Sequence, residues 1–244
     1  MDVKELYFFK KQISSYIDKA YTGGVGISMF LDLTKQAIIK NINTSGIEVL
    51  FDGGFDDAEY QRALFMPIGY KADFKIKVYE IIYNHKYFDF NHRNVLGSLM
   101  SLGIKRESIG DIIFIDKRIY FACTEEINAY ILSEFKMVSH ASIELKEVHE
   151  RIKVIRNIVE QTIVVSSMRL DVIIANAYNL SRNEANEFIE GGLVSVNHIE
   201  CTNNSKLIKE NDCISVRHKG RVYVNEIIRK TKSDRLAIKI GFLK

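Results

Sequence analysis

Two arginines, Arg169 and Arg182, stand where the hydrophobic pattern predicts the first turns of two short helices. A cation at a helix start opposes the helix dipole, at a cost of about 0.3–1 kcal/mol, so each calls for a compensating anion. Phosphate is one candidate. Exposed helix amides beside a guanidinium form an anion-binding arrangement, and two such ends close together would grip an RNA backbone. A neighbouring carboxylate, Asp171 or Glu184, is the other candidate. The residues alone leave both open.

More basic residues follow on expected strand edges: Lys206, Lys209, Arg217, Lys219, Arg221, Arg229, Lys230, Lys232 and Arg235. The run Arg217-His218-Lys219-Gly220-Arg221 reads as a hairpin tip. A charge run is usually a solvated face, so a binding role requires these groups to share one surface with the two helix starts. Global charge does not decide it, since the formal net charge is only +3. Other chemistries have weaker support. Gly23-Gly24-Val25-Gly26 lacks the G-K-[ST] of a phosphate-binding loop. Cys123, Cys201 and Cys213 form no C-x-x-C pair, which fits a reduced, cytoplasmic protein, and Cys201 and Cys213 read as packing residues. The histidines have no zinc-ligand spacing. Asp52, Asp56, Asp57 and Glu59 read as a turn and a helix start rather than a metal site. The amino terminus lacks signal-peptide features, and no apolar run approaches the roughly 20 residues of a membrane span.

The elements that must position the basic residues fall into three stretches. In residues 1–69, Leu6, Phe9, Ile13, Tyr16 and Ile17 predict a helix and Ile47–Phe51 a strand; Asp52-Gly53-Gly54 predicts a turn, then a helix after Asp57 broken at Met66-Pro67. In residues 70–149, strands over 74–83, 111–115, 119–123 and 142–148 alternate with helices over 91–102 and 125–135. That order is the split βαβ pattern of ferredoxin-like folds. Residues 150–165 are left between helix and strand, with Ile163-Val164-Val165 leaning towards strand. In residues 166–244, Ser167 is the expected N-cap of a helix carrying Leu170, Ile173, Ile174, Ala177 and Tyr178. Ser181 and Glu184 form a capping box for a second helix that ends at Gly191-Gly192, and short strands follow.

The elements Ser167-Met168-Arg169-Leu170-Asp171, Leu180-Ser181-Arg182, Gly192-Leu193-Val194-Ser195-Val196-Asn197 and Asp212-Cys213-Ile214-Ser215-Val216-Arg217 resemble, in order, the S-four RNA-binding domain, named after small-subunit ribosomal protein four. The resemblance implies RNA contacts at Arg169, Ser181, Arg182, Asn183, Lys206, Arg217, Lys219 and Arg221. Asn186 stands where basic residues are common in that family. Phe51-Asp52-Gly53-Gly54-Phe55 with Ala58-Glu59, and His92-Arg93-Asn94-Val95-Leu96-Gly97 with Leu102-Gly103-Ile104-Lys105-Arg106 and Gly110-Asp111-Ile112, extend the resemblance to the YlmH family of bacterial S-four proteins over nearly the full length. It implies a second RNA or ribosome contact at Arg93, Lys105 and Arg106. The alternative for the motif glycines Gly97, Gly103 and Gly110 is close packing and turns, with Asp111 capping a turn. The family further implies association with the large ribosomal subunit, peptidyl-tRNA and rescue of stalled nascent chains, and its gene neighbourhood a tie to cell division.

The expected fold is α+β and multi-domain: a small N-terminal α/β module (1–69), a ferredoxin-like, RRM-like βαββαβ module (70–149) and an S-four-type domain (166–244). The expected function is non-catalytic recognition of structured RNA, ribosomal or transfer, by a cytoplasmic monomer with no cofactor, metal, membrane or small-molecule partner. The competing readings are a pseudouridine-synthase-type enzyme and a division-complex adaptor. Phe114 and Tyr120 keep base stacking on the middle sheet open.

Overall fold

The structure, a computed structural model, describes residues 3–154, 158–231 and 234–243. The chain divides into two units, Met1–Ile155 and Arg156–Lys244.

The first unit opens with helix α1 (Val3–Tyr21), whose Phe9, Ile13 and Ala20 are buried on one face, at the spacing an amphipathic helix requires. Strand β1 (Gly26–Ile27), helix α2 (Leu33–Lys40), and strands β2 (Ile47–Asp52) and β3 (Arg62–Pro67) complete a three-stranded antiparallel sheet of order β1-β3-β2. Asp32 caps α2 by accepting the Lys35 amide at 2.8 Å. Ile39, Ile47, Ala63 and Phe65 join the α1 residues in one core. The expected helix after Asp57 does not form: β3 is a strand buried from Arg62 to Met66. Its short apolar run fits a buried strand as well as a helix, and pairing on both sides decides for the strand. The carboxylates read as a helix start are instead loop groups, and Arg151 pairs with Asp52 and lies 3.8 Å from Asp56. Gly53 is required by crowding, since a Cβ there would sit 2.4 Å from the Tyr60 carbonyl oxygen.

The rest of this unit is β4 (Ile76–Ile82), α3 (His92–Ser101), β5 (Ile109–Ile115), β6 (Arg118–Thr124), α4 (Asn128–Glu134), the short pair β7 (Met137–Val138) and β8 (Ala141–Ser142), and β9 (Glu144–Glu147). The sheet order β5-β6-β4-β9, antiparallel throughout, is the ferredoxin-like arrangement expected from the sequence. Asn91 and Asn94 cap α3 reciprocally, at 3.1 and 2.9 Å. One sheet face buries Tyr79, Ile119, Phe121 and Cys123 against Val95, Leu99 and Ile131 of the helices. The other face is also covered. Phe30, Phe55 and Ala58 bury Val78, Ile113, Tyr120 and Ala122.

Two buried polar groups tie these layers together. Arg62, 1% exposed, donates to the Ser28 and Lys75 carbonyls at 2.7 Å each and to Glu126 at 2.8 Å. The Asp111 carboxylate accepts the backbone amides of Glu59 (2.6 Å) and Tyr60 (3.1 Å), which supports the turn-capping alternative for that residue. A guanidinium and a carboxylate can be buried here because their hydrogen-bonding groups find partners.

The second unit begins with β10 (Ile158–Val165), so the Ile-Val-rich connector is a strand. Helices α5 (Leu170–Ala177) and α6 (Arg182–Glu190) follow, then β11 (Val194–Val196), β12 (Ile199–Glu200), β13 (Cys213–Val216), β14 (Gly220–Lys230) and β15 (Leu236–Leu243). They form a six-stranded sheet of order β10-β15-β14-β13-β11-β12. Leu170, Ile173, Ile174, Ala185 and Ile189 pack with Val194, Val216, Val222 and Ile238 in one core. No helix among the described residues is long and apolar enough to cross a membrane.

Candidate nucleic-acid interface

The second unit sets its arginines by local rules. Arg169, in extended conformation (φ −71°, ψ 144°), is itself the residue before α5 and forms no side-chain cap, so the N-cap expected at Ser167 lies two residues further on. Strand-like pairing with Leu207 and bonds from the Leu170 amide to the Lys206 carbonyl (2.9 Å) and the Asp171 amide to the Asn204 carbonyl (3.2 Å) replace the missing cap. They also bring Lys206 beside Arg169. Helix α6 has the full capping box expected: the Ser181 hydroxyl accepts the Glu184 amide at 3.2 Å, and Glu184 accepts the Ser181 amide at 2.8 Å.

With Glu184 engaged there, both arginines turn to one carboxylate. Arg169 makes a two-pronged contact with Asp171 at 3.0 and 3.1 Å, and Arg182 reaches the same group at 2.7 Å. The Asp171 side chain is 2% exposed, against 38% for Arg169 and 60% for Arg182. Burial alone would raise the Asp171 pKa; the hydrogen bonds and charges of the two arginines outweigh it and hold the carboxyl below its usual range. Two cations share one buried anion, so the exposed side of the pair stays positive. Of the two partners left open by the sequence, the carboxylate is the one the structure shows: Asp171 orients both guanidinium groups and leaves much of each open to solvent.

A second basic group lies at the β13–β14 hairpin, whose turn Arg217-His218-Lys219 is closed by positive φ at His218 (66°) and Gly220 (99°). The Lys219 ammonium sits over the Phe188 ring of α6 at 5.6 Å and helps hold the Glu184 carboxyl below its usual pKa, chiefly an effect of the Ser181 amide. The Tyr178 hydroxyl donates to the Gly220 carbonyl at 3.1 Å. Arg217 and Arg221 line an open depression of about 380 Å³ with Ser195, Ser215 and His218. The first turn of α6 links the two groups, because Arg182 points to Asp171 and Glu184 to the Lys219 side. Asn183 and Ser181 are exposed on that turn. Among the other strand-edge residues, Lys230 pairs with Asp234 at 2.7 Å, and Lys232 lies outside the described residues.

In the first unit, Arg93 and Lys105 are exposed, while Arg106 is committed inward. Its guanidinium lies 4.2 Å from the Tyr60 ring centroid and donates to the Ile109 carbonyl. Partial desolvation, with Arg106 second, lowers the His92 pKa. Tyr120 is 4% exposed beneath the covering residues, so the sheet face on which RNA-recognition modules stack bases is closed at that ring. Cys123, Cys201 and Cys213 are buried, and burial pushes the Cys123 thiol up to about 12. No cluster of metal-ligating side chains occurs among the described residues.

Two family models match this chain: "Putative RNA-binding domain in YlmH" over residues 70–151 and "S4 domain" over residues 168–214. The chain therefore matches both a YlmH-type RNA-binding domain and an S4 domain. The S4 match contains both helix starts and Asp171; the YlmH match contains Arg93, Lys105 and Arg106. A curated Bacillus subtilis (strain 168) protein, "Ribosome-associated protein quality control protein P2", is 27% identical over 241 residues, covering 93% of this chain and 94% of the relative. A solved structure, "Cell division protein ylmH from Streptococcus pneumoniae", superimposes with a TM-score of 0.52 at 20% identity, over 61% of this chain and 93% of its own, a likeness of fold. Both matched families are RNA-binding, and RNA binding is the role these YlmH and S4 domains bring to the chain.

Proposed function

We propose that this YlmH-type chain is a non-catalytic factor that recognises structured RNA, ribosomal or transfer, on the large ribosomal subunit beside peptidyl-tRNA, and acts in ribosome-associated quality control. The observation that carries it is the shared carboxylate: Asp171 fixes Arg169 and Arg182 at two helix starts, with Lys206 alongside and Lys219 across the first turn of α6. Fixed guanidinium groups with exposed outer edges suit phosphates held in a defined shape, and such contacts position a protein on RNA without reading bases. The name of the B. subtilis relative supports the ribosomal setting. Ser181, Asn183, Arg217 and Arg221 complete the proposed surface. Arg93 and Lys105 supply a second contact from the first unit, with Arg106, also expected there, turned inward onto Tyr60. The proposed domain limits are 1–69, 70–149 and 166–244, and the protein acts as a monomer.

Crosslinking in cells with sequencing of the bound RNA tests this directly. Enrichment of large-subunit ribosomal RNA and transfer RNA is the expected result. Enrichment of messenger RNA alone, or turnover of uridine to its isomer when the protein is mixed with ribosomal RNA, contradicts it.

A further inference from the structure

One residue of α3 has no internal reason to be what it is. Gly97 lies mid-helix, is exposed, has no positive φ, and a Cβ placed there meets nothing within 4 Å. The neighbouring motif glycines differ: Gly103 needs its φ of +75°, and a Cβ on Gly110 would strike the Phe30 ring at 2.7 Å. Alanine at position 97 would improve the helix, since glycine there loses more backbone entropy on folding. The space that glycine keeps open is therefore on the outside of the molecule.

The surroundings indicate what comes close. Arg93, Gly97 and Ser101 are exposed and spaced four apart, so they share a stripe of the helix. No carboxylate occurs in α3, and exposed Lys105 follows in the next loop. The opposite route, stacking on the sheet, is closed at Tyr120. We propose that Gly97 is the point where an RNA sugar-phosphate backbone lies directly against α3, with Arg93 pairing a phosphate on the same stripe. Without a side chain at 97, the strand reaches van der Waals distance of the helix backbone.

This proposal rests on reading the first unit as an RNA contact, and the test separates the two. Binding of the protein to bulk bacterial ribosomal RNA is measured in a filter assay, and thermal melting is followed in parallel. Gly97→Ala is expected to raise Tm by about 2–4 °C and yet weaken binding about three- to tenfold, with Gly97→Leu weaker still. A gain in Tm rules out misfolding as the cause of the loss. Wild-type binding by both Gly97 variants while Arg93→Ala weakens it overturns the inference and keeps the RNA contact. Wild-type binding by Gly97→Leu, Arg93→Ala and Lys105→Ala together overturns both. Wild-type RNA binding by Gly97→Leu with lost co-sedimentation on ribosomes assigns the stripe to a ribosomal protein and overturns the proposal as well.

Discussion

Asp171 is the residue on which the candidate interface of the second unit turns. It is buried, it accepts from Arg169 and Arg182, and its amide reaches the Asn204 carbonyl. Replacing it with alanine should cost about 1–3 kcal/mol in denaturant unfolding, because two donors lose their acceptor while remaining able to reach water. It should also weaken RNA binding, although it removes a negative charge, since the guanidinium groups lose their fixed directions. Tighter binding by that variant would mean Asp171 only competes with phosphate. The sign of the pH dependence follows from the lowered pKa. Asp171 contributes its stability fully above the unfolded value of about 4, and loses it as pH falls through its folded value. Melting from pH 7 down to 3 should therefore show a loss at the acidic end that Asp171→Ala lacks. The sequence offers Asp171 as a rival partner for one arginine. It could not reveal one carboxylate serving both, because Arg182 is distant along the chain and only the fold brings it near.

At the scale of elements, periodicity and caps were readable and long-range pairing was not. Helices α1, α3, α5 and α6 follow the apolar spacing, and the Ser181–Glu184 box appears as expected. Ser181→Ala should cost about 0.5–2 kcal/mol, measured by thermal or denaturant unfolding. The short apolar run of β3 carries no period, so the sequence does not separate a strand from a helix there. Strand β15 is not distinguished by the sequence although it alternates, and it sits between the edge strand β10 and β14 of the six-stranded sheet. The ferredoxin-like order was legible; the covering of its second face was not, since Phe30, Phe55 and Ala58 come from distant loops. Tyr120→Ala should lower stability by about 3–5 kcal/mol, as other large-to-small aromatic changes in cores do. RNA affinity of the folded fraction should stay unchanged, and a selective loss of affinity would reopen the stacking mode.

For the molecule as a whole, the residues that carry the YlmH resemblance divide between buried, structural positions and exposed ones. Gly110 and Asp111, together with Arg62, join the three-stranded and four-stranded parts of the first unit, and Gly53 makes room for Ala58 and Tyr60, whereas Arg93, Gly97 and Lys105 are exposed. The candidate site of the second unit was legible as a set of residues, while its geometry came from burial of one acid beneath two bases. The most direct measurement is the salt dependence of ribosomal RNA binding by the wild type and by an Arg169→Ala/Arg182→Ala double variant. With about five phosphates neutralised, the wild-type slope of log K against log salt should lie near about −3.5 to −4.5. The double variant should flatten it by about one to two units across unrelated RNA sequences. An unchanged slope with unchanged affinity would contradict the assignment of these two helix starts as the phosphate grip.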